Sequence, residues 1–116
     1  MAIKTSLNYS PNFNPEKRKA NQIKFLIFHY TGMRTEKAAI KRLTNIRSEV
    51  SSHYLINQTG KIINLVPDLY IAWHAGRSKW KKHKSLNKNS IGIEITNPGH
   101  SFGYNKFPKQ QILSLI

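Results

Sequence analysis

The sequence has 116 residues, a hydrophobic fraction of 39% and a formal charge of +14. This length allows one modest domain with a single core, and the hydrophobic fraction excludes a disordered chain. Cysteine is absent, so any metal site must be built from histidine and carboxylate ligands. The charge favours attraction to nucleic acid, anionic lipid or an acidic cell-wall polymer, although a solvated lysine-rich surface is the simplest interpretation.

The first 22 residues are rich in asparagine, proline, serine and lysine, which predicts an irregular arm with a few apolar anchors. The expected anchors are Leu7, Tyr9 and Phe13. No apolar run is long enough to span a membrane, and the N-terminus lacks the apolar stretch of a secretory signal. We therefore expect no membrane span and favour a cytoplasmic location, with a periplasmic or secreted location as the alternative.

Hydrophobic periodicity predicts four strands and one complete helix. Residues 24–30 form a nearly continuous apolar run, which predicts a buried central strand ending near His29. The spacing predicts a helix from Thr35 to about Arg47, with Thr35 as its N-cap. The other predicted strands are 52–57 and 61–66, joined by a hairpin at 58–60, and 90–95; a further helix is expected to begin at Pro108.

The segment Ser90–Ile95 alternates isoleucine with other residues, which places Glu94 on the face opposite the three isoleucines. The simplest interpretation is that Glu94 lies on a solvent-exposed face of the strand. The functional alternative is that Glu94 is a general base. His29, His53 and His74 lie in apolar or small-residue surroundings, where each alone suits a structural histidine. Together with Glu94 they are typical of a hydrolase with an imidazole-bound metal.

Five motifs in this order and spacing resemble the type 2 family of zinc-dependent N-acetylmuramoyl-L-alanine amidases, which is related to peptidoglycan recognition proteins. They are HYTG at 29–32, VSSHYLI at 50–56, GKIINLV at 60–66, AWHAGRSKW at 72–80 and LNKNSIGIEITNPG at 86–99. The resemblance implies an α/β domain over residues 23–116, with a single mixed central β-sheet flanked by helices.

The resemblance also implies an activity and roles for individual residues. The reaction would be zinc-dependent hydrolysis of the amide between N-acetylmuramic acid and L-alanine, in peptidoglycan or muropeptides. His29 matches a zinc ligand and Glu94 matches the catalytic glutamate. The remaining matched residues are Trp73, His74 and Asn87, which would bind substrate, and His53, which would support the site from a neighbouring strand.

The sequence departs from the family pattern in its last residues. The family completes its zinc site with two further ligands after the helix expected at Pro108, and neither has a counterpart before Ile116. We therefore interpret the chain as a C-terminally truncated bacterial member, and we expect these 116 residues alone to be inactive. A monomer is expected, and the alternative function is that of a non-catalytic peptidoglycan-binding remnant.

A basic segment offers a second alternative, a nucleic-acid-binding protein. Between Arg77 and Lys88, the residues Trp80 and His83 are interspersed with lysines, as in loops that contact phosphates. The amidase pattern already accounts for this segment, so nucleic acid is the less favoured partner.

Overall fold

The computed structural model describes residues 5–33, 35–75, 79–80, 83–84 and 86–96. The helix expected at Pro108 lies outside these residues. No helix in the described ranges is long and apolar enough to cross a membrane. The strands are β1 Ser6–Leu7, β2 Phe13–Asn14, β3 Phe25–Tyr30, β4 Tyr54–Ile56, β5 Ile62–Asn64, β6 Ile71–Ala72, β7 Lys79–Trp80, β8 His83–Lys84 and β9 Ser90–Ile95, and the helix is α1 Glu36–Thr44.

Five strands form one mixed sheet in the order β1-β5-β4-β9-β3. β4 and β5 are an antiparallel hairpin, whereas the other three neighbouring pairs are parallel. Gly60 has a φ of 89° in the hairpin turn, a conformation that glycine adopts without steric cost. The mixed α/β sheet predicted from the sequence is confirmed. Two short antiparallel pairs lie outside it: β2 with β6, and β7 with β8 in the basic segment between Arg77 and Lys88.

Helix α1 covers one face of the sheet and forms the hydrophobic core with it. The Thr35 side chain accepts a hydrogen bond from the Ala38 amide at 3.1 Å, so the predicted N-cap is confirmed. The helix ends at Thr44, earlier than expected, because Asn45 is extended and its side chain caps the following 3-10 turn. The core cluster consists of Ala39, Leu43, Leu55, Ile63 and Leu65, and burial of each leucine contributes about 1.5–3 kcal/mol.

Strand β3 differs from the buried central strand that the sequence predicts. In the described sheet it lies at an edge and pairs with β9 alone. Leu26, Phe28 and Tyr30 are 62%, 50% and 52% exposed, while the residues between them are partly buried. The apolar run therefore reflects a strand that is covered on one face, the face to which His29 points.

The N-terminal segment is more ordered than the predicted irregular arm. β1 extends the main sheet and β2 pairs with β6. The prediction of Leu7 and Tyr9 as anchors is wrong, because they are 65% and 55% exposed. The buried residues of this segment are the polar side chains Ser10, Asn12 and Arg18, which hydrogen-bond backbone carbonyls elsewhere in the fold. The division of the chain at residue 22 stays a prediction.

Candidate active site

His29 and Glu94 lie side by side on neighbouring parallel strands. They are register partners in the β3–β9 pair, and Leu55 of β4 is the partner of Glu94 on the other side. Register partners in a sheet point to the same face. Leu55 belongs to the core beneath α1, so His29 and Glu94 also face the helix. The sheet thus places an imidazole and a carboxylate together on its covered face.

Burial dominates the electrostatics of Glu94. Among the described residues, the Glu94 carboxylate has no hydrogen-bond or ion-pair partner. Burial raises the pKa of this carboxyl group from 4.5 to about 7. The positive charge of Arg42, on α1, opposes this increase without cancelling it. A carboxyl group with a pKa near neutrality exchanges protons readily at physiological pH, as a general base must.

His74 lies in the loop after β6 and contacts His29. His74 Nδ1 is 3.3 Å from His29 Nε2, and the two rings meet edge to face. The His74 ring rests on Gly92 of β9, where any side chain would collide with it. Burial, together with the charges of His29, His53 and Arg18 in their protonated forms, lowers the pKa of His74 to about 3. Both rings are therefore neutral at physiological pH, since burial also lowers the pKa of His29.

His53 is fully buried and bonds to the backbone of two other segments. Its Nδ1 accepts from the Gly92 amide at 3.1 Å, so Nε2 carries the proton and donates to the Tyr70 carbonyl at 2.8 Å. Protonation would break the bond to Gly92, and burial lowers the His53 pKa to about 4. This geometry suits the supporting role expected for His53, because it fixes β9 two residues before Glu94.

Asn87 and Trp73 also occupy definite positions near the site. The Asn87 side-chain oxygen accepts from the backbone amides of His74 and Ala75 at 3.1 and 2.8 Å, so it fixes the loop that carries His74. The Trp73 indole donates to the Asn14 side chain at 2.9 Å. A residue of the N-terminal segment thus fixes the position of Trp73, and this segment lies outside the sequence motifs.

A cavity of about 180 Å³ opens between α1 and the site. Of the six residues predicted for the site, Trp73, His74 and Glu94 line it, while His29, His53 and Asn87 do not. The described residues that line it are Tyr30, Thr31, Met33, Ala39, Arg42, Leu43, Val50, Ser51, Trp73, His74 and Glu94. The cavity therefore combines an aromatic wall, a carboxylate and a cation in one space.

Sequence reasoning missed three residues that shape the site: Arg18, Ser90 and Gly92. Arg18 is 6% exposed and donates to the carbonyls of Asp68 and Asn87. Its position in a proline- and asparagine-rich segment gave no signal of burial. Gly92 could have been found, because a glycine inside a strand often marks a close approach by another group.

The residues present fit one position of a zinc site. His29 offers a neutral, partly buried imidazole at the end of a strand, which is a suitable zinc ligand. A catalytic zinc site needs three protein ligands, and no group of three histidine or acidic side chains in the described ranges is arranged to hold a metal ion. The described residues therefore do not make up a complete zinc site.

Comparison with known proteins identifies the class of hydrolase to which this arrangement belongs. A family model described as N-acetylmuramoyl-L-alanine amidase (Amidase_2) matches residues 19–116. The chain belongs to this amidase family. The amidase resemblance of the sequence motifs is therefore confirmed.

The amidase AmiD of Escherichia coli is 41% identical to the chain over 85 residues, which cover 67% of this chain and 30% of AmiD. A crystal structure of AmpDh3 from Pseudomonas aeruginosa in complex with anhydromuramic pentapeptide superposes with a TM-score of 0.73 at 32% identity, over 87% of this chain and 44% of that one. AmiD in complex with anhydro-N-acetylmuramic acid-L-Ala-D-gamma-Glu-L-Lys gives a TM-score of 0.71 at 35% identity, over 84% and 43%. The chain spans less than half the length of these relatives.

Proposed function

We propose that this domain hydrolyses the amide between N-acetylmuramic acid and L-alanine in peptidoglycan or muropeptides, with zinc as its cofactor. The observation that carries the proposal is the register pairing of His29 with Glu94, whose buried carboxyl group has a pKa raised to about 7. Family membership and the muropeptide complexes of the two structural relatives support the same substrate class.

Glu94 would act as the general base and then as the general acid. Its carboxylate takes a proton from the water that attacks the lactyl carbonyl carbon, and it gives that proton to the L-alanine nitrogen as the C–N bond breaks. Zinc, when bound with His29 as one ligand, would supply a Lewis acid that polarises the carbonyl. His29 contributes a neutral nitrogen at a fixed position beside the base.

The cavity would orient the substrate for this attack. Trp73 offers a flat apolar surface of the kind on which a sugar ring or a lactyl group can rest. Arg42 places a cation on the opposite, helical wall, where a carboxylate of the stem peptide can approach. The net charge of +14 would further favour the anionic substrate. The expected monomeric state and cytoplasmic location stay predictions, for sedimentation and cell fractionation to test.

The test is release of L-alanyl peptide from an N-acetylmuramoyl peptide, followed by mass spectrometry with added zinc. The proposal predicts release by a protein in which these 116 residues are joined to the family's two remaining zinc ligands, loss of release in its Glu94→Gln variant, and loss after chelation of the metal. Tyr54→Phe is the matched control, because its hydroxyl bonds Asp68 away from the cavity. No release by that protein would contradict the proposal, whereas release by the 116 residues alone would contradict the incomplete zinc site.

The second candidate is a non-catalytic peptidoglycan-binding module, favoured by the incomplete ligand set of the described residues. Calorimetric titration with the same muropeptide, together with elemental analysis for zinc, separates the two functions. Binding without zinc and without release of peptide favours the module, whereas zinc-dependent release favours the amidase.

A further inference from the structure

Both ring nitrogens of His74 have hydrogen-bond partners, and one of these partners fixes the direction of the bonds. Ser90 Oγ donates to the Leu86 carbonyl at 2.6 Å. A hydroxyl group has a single proton, so Ser90 Oγ must accept at its 2.9 Å contact with His74 Nε2. His74 therefore carries its proton on Nε2.

The same reasoning extends to His29. When His74 is neutral, its Nδ1 is an unprotonated acceptor, and this atom is 3.3 Å from His29 Nε2. The contact is a hydrogen bond when His29 carries its proton on Nε2. Three hydrogen bonds then run in one direction, from His29 through His74 and Ser90 to the Leu86 carbonyl. The neutral His29 ring is left with an unprotonated Nδ1.

Gly92 keeps the His74 ring in line with these partners. A Cβ atom at position 92 would lie 2.6 Å from Cδ2 and 2.8 Å from Nδ1 of His74, closer than real contacts allow. The His74 ring also meets His53 edge to face, with 6.0 Å between ring centroids. The position of His74 is thus set by the strand beneath it and by a neighbouring ring, independently of any ligand.

We propose that His74 and Ser90 are positioning residues that fix His29 in its Nε2-protonated tautomer, so that the Nδ1 lone pair of His29 is the one offered to a metal ion. The metal rests on the proposed function, whereas the tautomer is a property of the metal-free chain. His74 would thus act through His29, in addition to lining the substrate cavity.

The test is long-range ¹H–¹⁵N correlation spectroscopy of the imidazole rings in the full metal-free chain, at about pH 8, where neutral histidine predominates. The expected result is a single His29 tautomer with a protonated Nε2 and an unprotonated Nδ1. Ser90→Ala and His74→Phe each remove one acceptor, so both should shift the His29 nitrogens towards the average of two exchanging tautomers. Tyr54→Phe, on the opposite face of the sheet, should leave them unchanged.

A proton on Nδ1 of wild-type His29 would overturn the inference. Identical His29 signals in the wild type, Ser90→Ala and His74→Phe would overturn it as well. Ser90→Ala removes one oxygen, so it keeps the test valid if His74→Phe does not fold. A protein with the complete ligand set that shows the expected tautomer but releases no peptide contradicts the proposed function and leaves this inference standing.

Discussion

Two groups of polar side chains lie inside this small fold, and each includes one group without a hydrogen-bond partner in the described ranges. The N-terminal network of Ser10, Asn12 and Arg18 donates hydrogen bonds to backbone carbonyls of the α1 end and of the loops around the site, and leaves only the neutral Asn12 side-chain oxygen without a partner. The active-site cluster of His29, His74 and Glu94 instead includes a partly buried carboxylate without a hydrogen-bond partner, which carries a full charge when ionised. The N-terminal network stabilises the fold, and the active-site cluster depends on that stability.

This difference shows how the fold can hold a reactive group. An unpaired buried carboxylate opposes folding, so other interactions must compensate for it. The N-terminal network meets the cluster at Asn87, whose carbonyl accepts from Arg18 while its side chain holds the His74 loop. The predictions below separate the two groups by measuring stability and activity on the same variants.

Glu94→Gln should have the largest effect, a loss of activity that is not accompanied by a loss of stability. Loss of a general base lowers the rate by about 10²–10⁴-fold. At about pH 8 the variant should be more stable than the wild type, by up to about 3 kcal/mol, because the buried charge is gone. Rates of peptide release and urea unfolding on the same samples check both parts. A variant that is destabilised would show that Glu94 has a stabilising partner.

Arg18→Met should act in the opposite sense and destabilise the fold by about 3 kcal/mol. The carbonyl groups of Asp68 and Asn87 lose a charged donor in part-buried contacts, and hydrogen bonds to charged groups contribute about 1.5–3 kcal/mol each. Lys24→Met is the matched control, because Lys24 is exposed, and it should stay within about 0.5 kcal/mol of the wild type. Urea unfolding measures the stability of both variants. Equal stability of Arg18→Met and Lys24→Met would show that the Arg18 hydrogen bonds do not stabilise the fold.

The pH dependence of stability should reveal the cluster as well. The Glu94 pKa is raised from 4.5 to about 7, so the folded state binds the extra proton in this window and stability falls as pH rises. The His53 pKa is lowered from 6.5 to about 4, so the unfolded state binds the extra proton and stability rises with pH up to 6.5. The two effects oppose each other in the wild type. The unfolding free energy of Glu94→Gln should therefore rise more steeply between pH 4.5 and 6.5 than that of the wild type. If the two proteins show parallel curves of unfolding free energy against pH, the raised pKa of Glu94 is contradicted.

Asn14→Ala should give the smallest effect, on substrate binding. The substitution removes the acceptor of the Trp73 indole proton and should cost about 1 kcal/mol of stability. Trp73 lines the cavity and does not take part in the chemical step. The KM for muropeptide should therefore rise a few-fold while kcat stays unchanged. Steady-state kinetics on muropeptide make the measurement, and a lower kcat at constant KM would place Trp73 nearer the reacting bond.

The sequence predicted the strands of the sheet better than it predicted the interactions that hold them in place. Alternation in Ser90–Ile95 predicted β9 and separated Glu94 from the isoleucines, although the observed strand is buried on both faces, with Ser90 on one and Ile91 and Ile95 on the other. The burial of Arg18 could not be predicted, because its partners are backbone carbonyls 50 and 69 positions away. Exposure of Leu26 and Phe28 was missed since an apolar run does not report how many neighbouring strands cover it.

The central claim is that the fold holds Glu94 as a base whose proton is exchangeable near neutral pH. The most direct measurement is titration of the Glu94 side-chain carboxyl carbon by ¹³C NMR in the metal-free chain, assigned by its absence in Glu94→Gln. The account predicts a midpoint of about 7. A midpoint at the ordinary value of 4.5 would show a solvated or paired carboxylate and would contradict the claim.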